Sequence, residues 1–253
     1  MQTLPRDLPA IAADIVERIR ARAPRVHCIT NTVAQAFTAN MLLAAGAVPS
    51  MTLAREEIGA FVAGADALLV NLGTFDAERR AAVEAALAAR QRQPWVLDPV
   101  FVDRSAARAA FARALLARRP DVVRLNRAEL SALTETPEET VPRFAARIAA
   151  TVAVSGETDT ISDGVTELAI ANGHRLMARV TAMGCAGSAL VAACLAVEPD
   201  AMRAAGAALL ALGIAGEIAA TRSAGPGTFA AAILDAVHSL DRGALLEHAK
   251  VGR

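Results

Sequence analysis

The sequence predicts an α/β protein, a three-layer α/β/α sandwich around a mainly parallel central sheet. Short apolar, β-branched runs bounded by turn residues alternate with Ala-, Glu- and Arg-rich stretches of helical period, which is the pattern of a βαβ array. The 253 residues, 54% of them hydrophobic, are enough to bury a sizeable core. No Pro/Ser-rich linker, charge block or internal repeat divides them, so residues 1–253 read as one domain.

Taken in order, the strand candidates are Val26–Thr30, Val48–Thr52, Ala67–Leu72, Trp95–Asp98, Val122–Leu125 and Val152–Ser155. Between them, Thr32–Ala45 has helical period and stops at Gly46, in the position of a C′ glycine, and Ala77–Arg92 follows Asp76 as its N-cap. Thr136-Pro137-Glu138-Glu139 reads as a cap, a first-turn proline and a capping-box glutamate. Beyond Gly156 the pattern changes. Thr160–Ser162 and Val165–Ala171 flank Asp163-Gly164, a two-residue hairpin signal, so antiparallel strands extend the sheet. Helices then follow at about Cys185–Val197, Asp200–Ala220 and Thr228–Leu240, with Pro199 in a first-turn position and Gly225-Pro226-Gly227 before the last.

Composition excludes several function classes. Twenty-six basic residues balance 26 acidic ones and aromatics are 3%, so neither a net field nor base-stacking platforms favour nucleic acid. Lys250 is the only lysine, which removes a Walker A loop and an internal Schiff-base lysine. Three cysteines, at 28, 185 and 194, show no C-x-x-C spacing, and the chain reads as reduced and cytoplasmic. Arg6, Asp7, Asp14, Glu17 and Arg18 punctuate the N-terminal helical pattern, and no export signal is expected. Val180–Val197 is uncharged and reaches the lower length limit of a spanning helix, but its glycines and missing aromatic belt favour a buried helix over a membrane span.

The residues that could carry chemistry gather at predicted strand ends. At Val180-Thr181-Ala182-Met183-Gly184-Cys185 a strand-like segment turns through a glycine into a long apolar helix. Free N–H groups and the helix dipole favour an anion there and would lower a thiol pKa. The same features suit a buried structural cysteine. Asp98 closes an apolar strand, at the sheet edge where ligands of open α/β sheets bind, or serves as a turn aspartate. Glu129 falls at N3 after Asn126, as half of a capping box or as a second carboxylate that with Asp98 could hold Mg²⁺. Arg124 suits nucleotide phosphate or an ordinary surface, and Ser155-Gly156 suits a nucleotide or an ordinary turn. Val26–Ala54 is free of charge yet holds His27, Thr30, Asn31, Thr32, Gln35, Asn40 and Met51, a lining for a small neutral ligand. A packed core explains that segment equally, with Asn31 capping the helix and His27 satisfied inside it.

A set of blocks in register is more specific than any one of these. His27-Cys28-Ile29-Thr30-Asn31, Phe37-Thr38-Ala39-Asn40, Asn71-Leu72-Gly73-Thr74, Leu97-Asp98-Pro99-Val100, Asn126-Arg127-Ala128-Glu129-Leu130, Ser155-Gly156-Glu157-Thr158-Asp159, Asn172-Gly173-His174 and Gly184-Cys185 together resemble the hydroxyethylthiazole kinase family, from about residue 25 to residue 240. The resemblance implies a ribokinase-like fold, usually a homotrimer, that moves the γ-phosphoryl of ATP onto 4-methyl-5-(2-hydroxyethyl)thiazole for thiamine synthesis or salvage. By the same resemblance Cys185, with Gly184, lies at the reacting hydroxyl, where related sugar kinases place an aspartate base. Arg124 and Ser155 contact ATP, Asp98 and Glu129 serve Mg²⁺, and Asn31, Met51 and Ala182 line the thiazole pocket. It further implies a pocket shared between subunits, with Asn31 and Met51 of one chain facing Cys185 of the next. Two stretches depart from the family. Its usual Gly-Thr-Gly-Cys is Ala182-Met183-Gly184-Cys185, and the glycine-rich stretch after Asp-Pro-Val is Phe101-Val102-Asp103-Arg104. A ligand-binding protein without turnover, or a kinase for another small alcohol, are the alternatives on the same fold.

Overall fold

The computed structural model describes residues 4–252. Nine strands form one sheet: β1 Arg25–Ile29, β2 Val48–Ser50, β3 Ala67–Asn71, β4 Trp95–Asp98, β5 Val122–Asn126, β6 Thr151–Ser155, β7 Asp159–Ser162, β8 Glu167–Ile170 and β9 Val251–Gly252. Their spatial order is β2-β1-β3-β4-β5-β6-β7-β8-β9. The first six pair in parallel and the last three are antiparallel additions.

Side chains alternate across the sheet, which sorts the core into two layers. Val26, Cys28, Ala67, Leu69 and Val96 face helices α1 (Leu4–Arg22), α2 (Gln35–Ala45), α8 (Met183–Leu195), α9 (Ala201–Thr221), α10 (Pro226–Ser239) and α11 (Arg242–Glu247). Leu68, Val70, Trp95, Leu97 and Val123 face α3 (Ile58–Ala63), α4 (Ala77–Ala89), α5 (Ala106–Leu116), α6 (Arg127–Leu133) and α7 (Val141–Ile148). The three-layer sandwich anticipated from the βαβ pattern is therefore present. α9 is long and apolar enough to cross a bilayer, but 78% of its most apolar stretch is buried inside the protein, as a core helix requires.

Several caps stand where they were expected. Gly46 ends α2 with a left-handed φ of 94°, Asp76 accepts from the Arg79 N–H at 2.7 Å, and Asn126 and Glu129 form a reciprocal capping box. Other boundaries move. The segment before α8 is not a strand: Arg175–Arg179 is a 3-10 turn, and the left-handed residue at the helix entry is Ala182 (φ 72°) rather than a glycine. Asn31 lies a turn upstream of α2 and accepts from the Ala34 N–H instead of capping Gln35 directly. α7 starts at Val141, because Glu139 turns away to bind Arg147 at 2.7 Å. The β7–β8 connection holds four residues rather than two. Asp163 accepts from both the Val165 and Thr166 N–H groups, which leaves Val165 95% exposed and outside the strand. The short β9 carries no pattern of its own; the Lys250 N–H donates to the Asn172 Oδ1 at 2.7 Å and leads the chain into it.

Candidate active site

The strand order reverses at β1. From there the chain goes outward to β2 and then back to β3 on the other side. Such a reversal opens a crevice at the carboxyl ends of the strands, the usual place for a ligand in an open α/β sheet. Asn31 follows β1, Asn71 ends β3, Asp98 ends β4, and Arg124 and Asn126 close β5. The N-terminal turns of α8 lie against them.

A continuous hydrogen-bonded chain runs along this edge. The Asn31 Nδ2 donates to the Cys185 Sγ and to the Asn71 Oδ1, both at 3.2 Å. The Asn71 Nδ2 donates to the Asp98 Oδ2 at 2.7 Å, and the Ser188 hydroxyl donates to that same oxygen at 2.8 Å. Gly73 packs so tightly here that a Cβ would lie 2.6 Å from the Asn31 Nδ2. Asn31 and Cys185 thus touch within one chain. The expectation that they face each other across a subunit boundary is corrected on that contact.

Burial governs the titrating groups. The Asp98 carboxyl is pushed up to about 6, chiefly by burial, against the lowering pull of Arg124 and Ser188 and with a smaller push from the Glu129 charge. The Cys185 thiol is raised to about 11, again by burial first and then by the Asp98 charge, which outweigh Asn71, Asn31 and Arg124. The helix dipole was expected to lower it. Desolvation and a neighbouring carboxylate win instead, so the thiol keeps its proton at neutral pH.

Arg124 lies across the first turns of α8. Its Nη1 donates to the Gly184 carbonyl at 2.9 Å, and a Cβ on Gly187 would lie 3.3 Å from its Nη2, so the helix is glycine where the guanidinium crosses it. Its Nε is buried without a partner. Ala182 gives α8 no side-chain cap, and no protein acceptor meets the Gly184 or Cys185 N–H among the described residues. A guanidinium beside open helix N–H groups suits an anion by its chemistry. Ser155 ends β6 opposite Asn126, and the neighbouring Gly156 N–H donates to the Asp159 Oδ1 at 2.9 Å. Asp159 is itself raised by burial and held back by Gly156 and Arg124.

Glu129 accepts the Asn126 N–H on one oxygen and the Phe101 N–H on the other, each at 2.9 Å. Its capping role is real, and it also ties the β4 turn to the β5 turn. For a divalent cation the fit is of one kind only. No group of three or more His, Cys, Asp and Glu side chains is placed to hold a metal among the described residues. Asp98 and Glu129, close enough for the Glu129 charge to raise Asp98, suit Mg²⁺, which takes one or two carboxylates and fills its shell with water and phosphate.

The remaining predicted residues fall around this edge. Met51 follows β2 and packs against the α2/α8 layer, and Ala182 is half-buried at the mouth of α8. His27 turns away from the crevice toward Phe61, ring centroids 5.9 Å apart, and its Nδ1 bonds the Ser50 hydroxyl at 2.8 Å. Sequence reasoning assigned no role to Asn71, Ser188 or Asp159. Asn71 had a signal, a polar residue ending an apolar strand as Asp98 does. Ser188 had one only in hindsight, a lone hydroxyl one turn after Gly184 in an otherwise apolar helix.

The open α/β sheet, with Arg124, Asp98, Glu129 and a helix N-terminus gathered at one edge, has a ribokinase-like fold. A ribokinase-like superfamily protein from Enterococcus faecalis shares the fold at a TM-score of 0.65 and 18% identity, over 91% of this chain and 95% of that one. The sequence profile of the hydroxyethylthiazole kinase family matches residues 16–243, and the chain belongs to that family. A probable hydroxyethylthiazole kinase of Agrobacterium fabrum is 45% identical over 244 residues, covering 96% of this chain and 95% of the relative. The hydroxyethylthiazole kinase structure from Pyrococcus horikoshii superposes at a TM-score of 0.92 with 35% identity, over 96% of this chain and 98% of that one.

Proposed function

We propose that the protein transfers the γ-phosphoryl group of ATP to the hydroxyl of 4-methyl-5-(2-hydroxyethyl)thiazole, as a step of thiamine synthesis or salvage. The observation that carries this reading is Arg124, whose buried, unpartnered Nε lies beside the open N–H groups of α8 at the edge that bears Asp98. Phosphoryl transfer asks mainly for positioning and charge neutralisation, and these groups supply both. The Gly184 and Cys185 amides and the Arg124 guanidinium take the phosphate oxygens, while Ser155 meets the nucleotide. Asp98 and Glu129 would hold Mg²⁺, which would supply positive charge beside the phosphates. Asn31, Met51 and Ala182 line the thiazole, and Cys185, protonated at neutral pH, orients the reacting hydroxyl rather than removing its proton.

The proposed assembly is a homotrimer acting in the cytoplasm. Exposed Val33 in the turn before α2, Leu43 on α2, Val48 on β2 and Phe61 on α3 support an interface on the β2 side of the sheet. A cavity of about 410 Å³ lies there, lined by Val48, Ser50, Ala60 and Phe61 and apart from the strand-end site. Three unpaired cysteines support a reducing compartment.

A coupled assay for ADP tests the activity. ADP that appears only when ATP, Mg²⁺ and the thiazole alcohol are all present supports the kinase. Saturable binding of the alcohol with no ADP would leave a ligand-binding protein on the same fold.

A further inference from the structure

Arg108, in the first turn of α5, is absent from every role assigned above, yet its guanidinium reaches back to the crevice. Its Nη1 donates to the Leu72 carbonyl and, at 3.3 Å, to the Val100 carbonyl, and its Nη2 donates to the Gly73 carbonyl at 3.1 Å. The guanidinium also stacks 5.2 Å from the centre of the Phe75 ring, with Arg80 at 5.0 Å from the same ring. One rigid fork therefore joins the turn after β3 to the turn after β4.

Each turn carries one half of the site. The Gly73 N–H donates to the Asn71 Oδ1 at 3.0 Å, and that oxygen also receives the Asn31 Nδ2, which holds the Cys185 Sγ. On the other side, Val100 precedes Phe101, whose N–H is bound by Glu129. The β3 turn thus sets the acceptor side, and the β4 turn sets the carboxylate side.

Resting on the kinase reading above, we infer that Arg108 is a positioning residue that clamps these two turns together, holding the acceptor hydroxyl in line with the phosphoryl group without touching either substrate. Lysine cannot replace it, because a single ammonium lacks the planar fork that serves three carbonyls in two turns.

The test uses Arg108→Ala and Arg108→Lys in the full chain, with two independent readouts. Cys28 and Cys194 are buried and Cys185 is half-buried, so alkylation by iodoacetamide, mapped by mass spectrometry, reports the setting of Cys185 without any turnover. Both variants should alkylate faster at Cys185 than wild type. Both should lose kcat by about 100-fold, the scale of an ångström-sized misplacement, while KM for ATP stays within about twofold. Added guanidinium ion should restore part of the lost kcat to the alanine variant and none to the lysine variant. A folded variant with wild-type alkylation and wild-type kcat overturns the clamp, as does a lowered melting temperature with unchanged kcat per folded molecule. If alanine prevents folding, the lysine variant decides by the same two readouts. If wild type shows no kinase activity, the kinase reading fails, and the alkylation contrast alone still decides the clamp.

Discussion

Cys185 illustrates how one residue's environment decides its chemistry. It opens a helix, which favours a thiolate, but it is largely desolvated and faces the Asp98 charge, so its pKa rises to about 11. A thiol that acted as the base would make kcat climb with pH toward that value. We predict instead that kcat shows no thiol titration between about pH 7 and 9, and that Cys185→Ala keeps kcat within about tenfold of wild type, which is about 1.4 kcal/mol of barrier. Steady-state kinetics across that pH range check both; a far larger loss in the alanine variant would restore the base role. His27 makes a second residue-level case. Burial lowers its pKa to about 4 from 6.5, partly offset by the Thr52 backbone. The folded state therefore resists protonation that the unfolded chain accepts. Stability from the neutral ring is complete above pH 6.5 and is lost as pH falls toward 4, a change on the order of 3 kcal/mol. Melting temperature against pH should fall less steeply through that window for His27→Gln than for wild type; parallel curves would contradict it. Among the site residues, those ending strands or opening helices were legible in the sequence, because punctuation of an apolar run marks a sheet edge. Asn71 carried that strand-end signal without its role being read from it, and Arg108 carried none, since its importance lies in which carbonyls it meets across the fold.

At the scale of elements, the entry to α8 is the most informative. The sequence suggested a glycine at the turn, whereas Ala182 takes the left-handed conformation and Gly184 lies inside the first helical turn beneath Arg124. A Cβ at φ 72° is strained, at a cost of about 1 kcal/mol. Ala182→Gly should therefore stabilise the protein, offset in part by the greater freedom of glycine in the unfolded chain. Urea unfolding should show a higher midpoint for the glycine variant; an equal or lower midpoint would mean that contacts of the alanine methyl outweigh the strain. Most of the parallel strands were readable because they are buried apolar runs, whereas β2 is only partly buried. The hairpin length and the α7 start were misread for one reason. Side chains of Asp163 and Glu139 bind backbone and arginine partners that local pattern does not reveal.

For the whole molecule, the βαβ alternation predicted the layers, but the pattern gave no strand order, and it is the reversal at β1 that creates the crevice. Asn31, Asn71 and Asp98 belong to three different strand ends and form one hydrogen-bonded edge only in that order. Asn31 and Cys185 meet within a single chain. In the proposed reaction this edge phosphorylates the primary alcohol on a thiazole ring. The most direct measurement is mass spectrometry of the thiazole alcohol after incubation with the purified protein, ATP and Mg²⁺. The account predicts a phosphate monoester of that alcohol, formed in equal amount with ADP by wild type and greatly reduced in Asp98→Asn. Unmodified alcohol, or ADP formed without the ester, would contradict it.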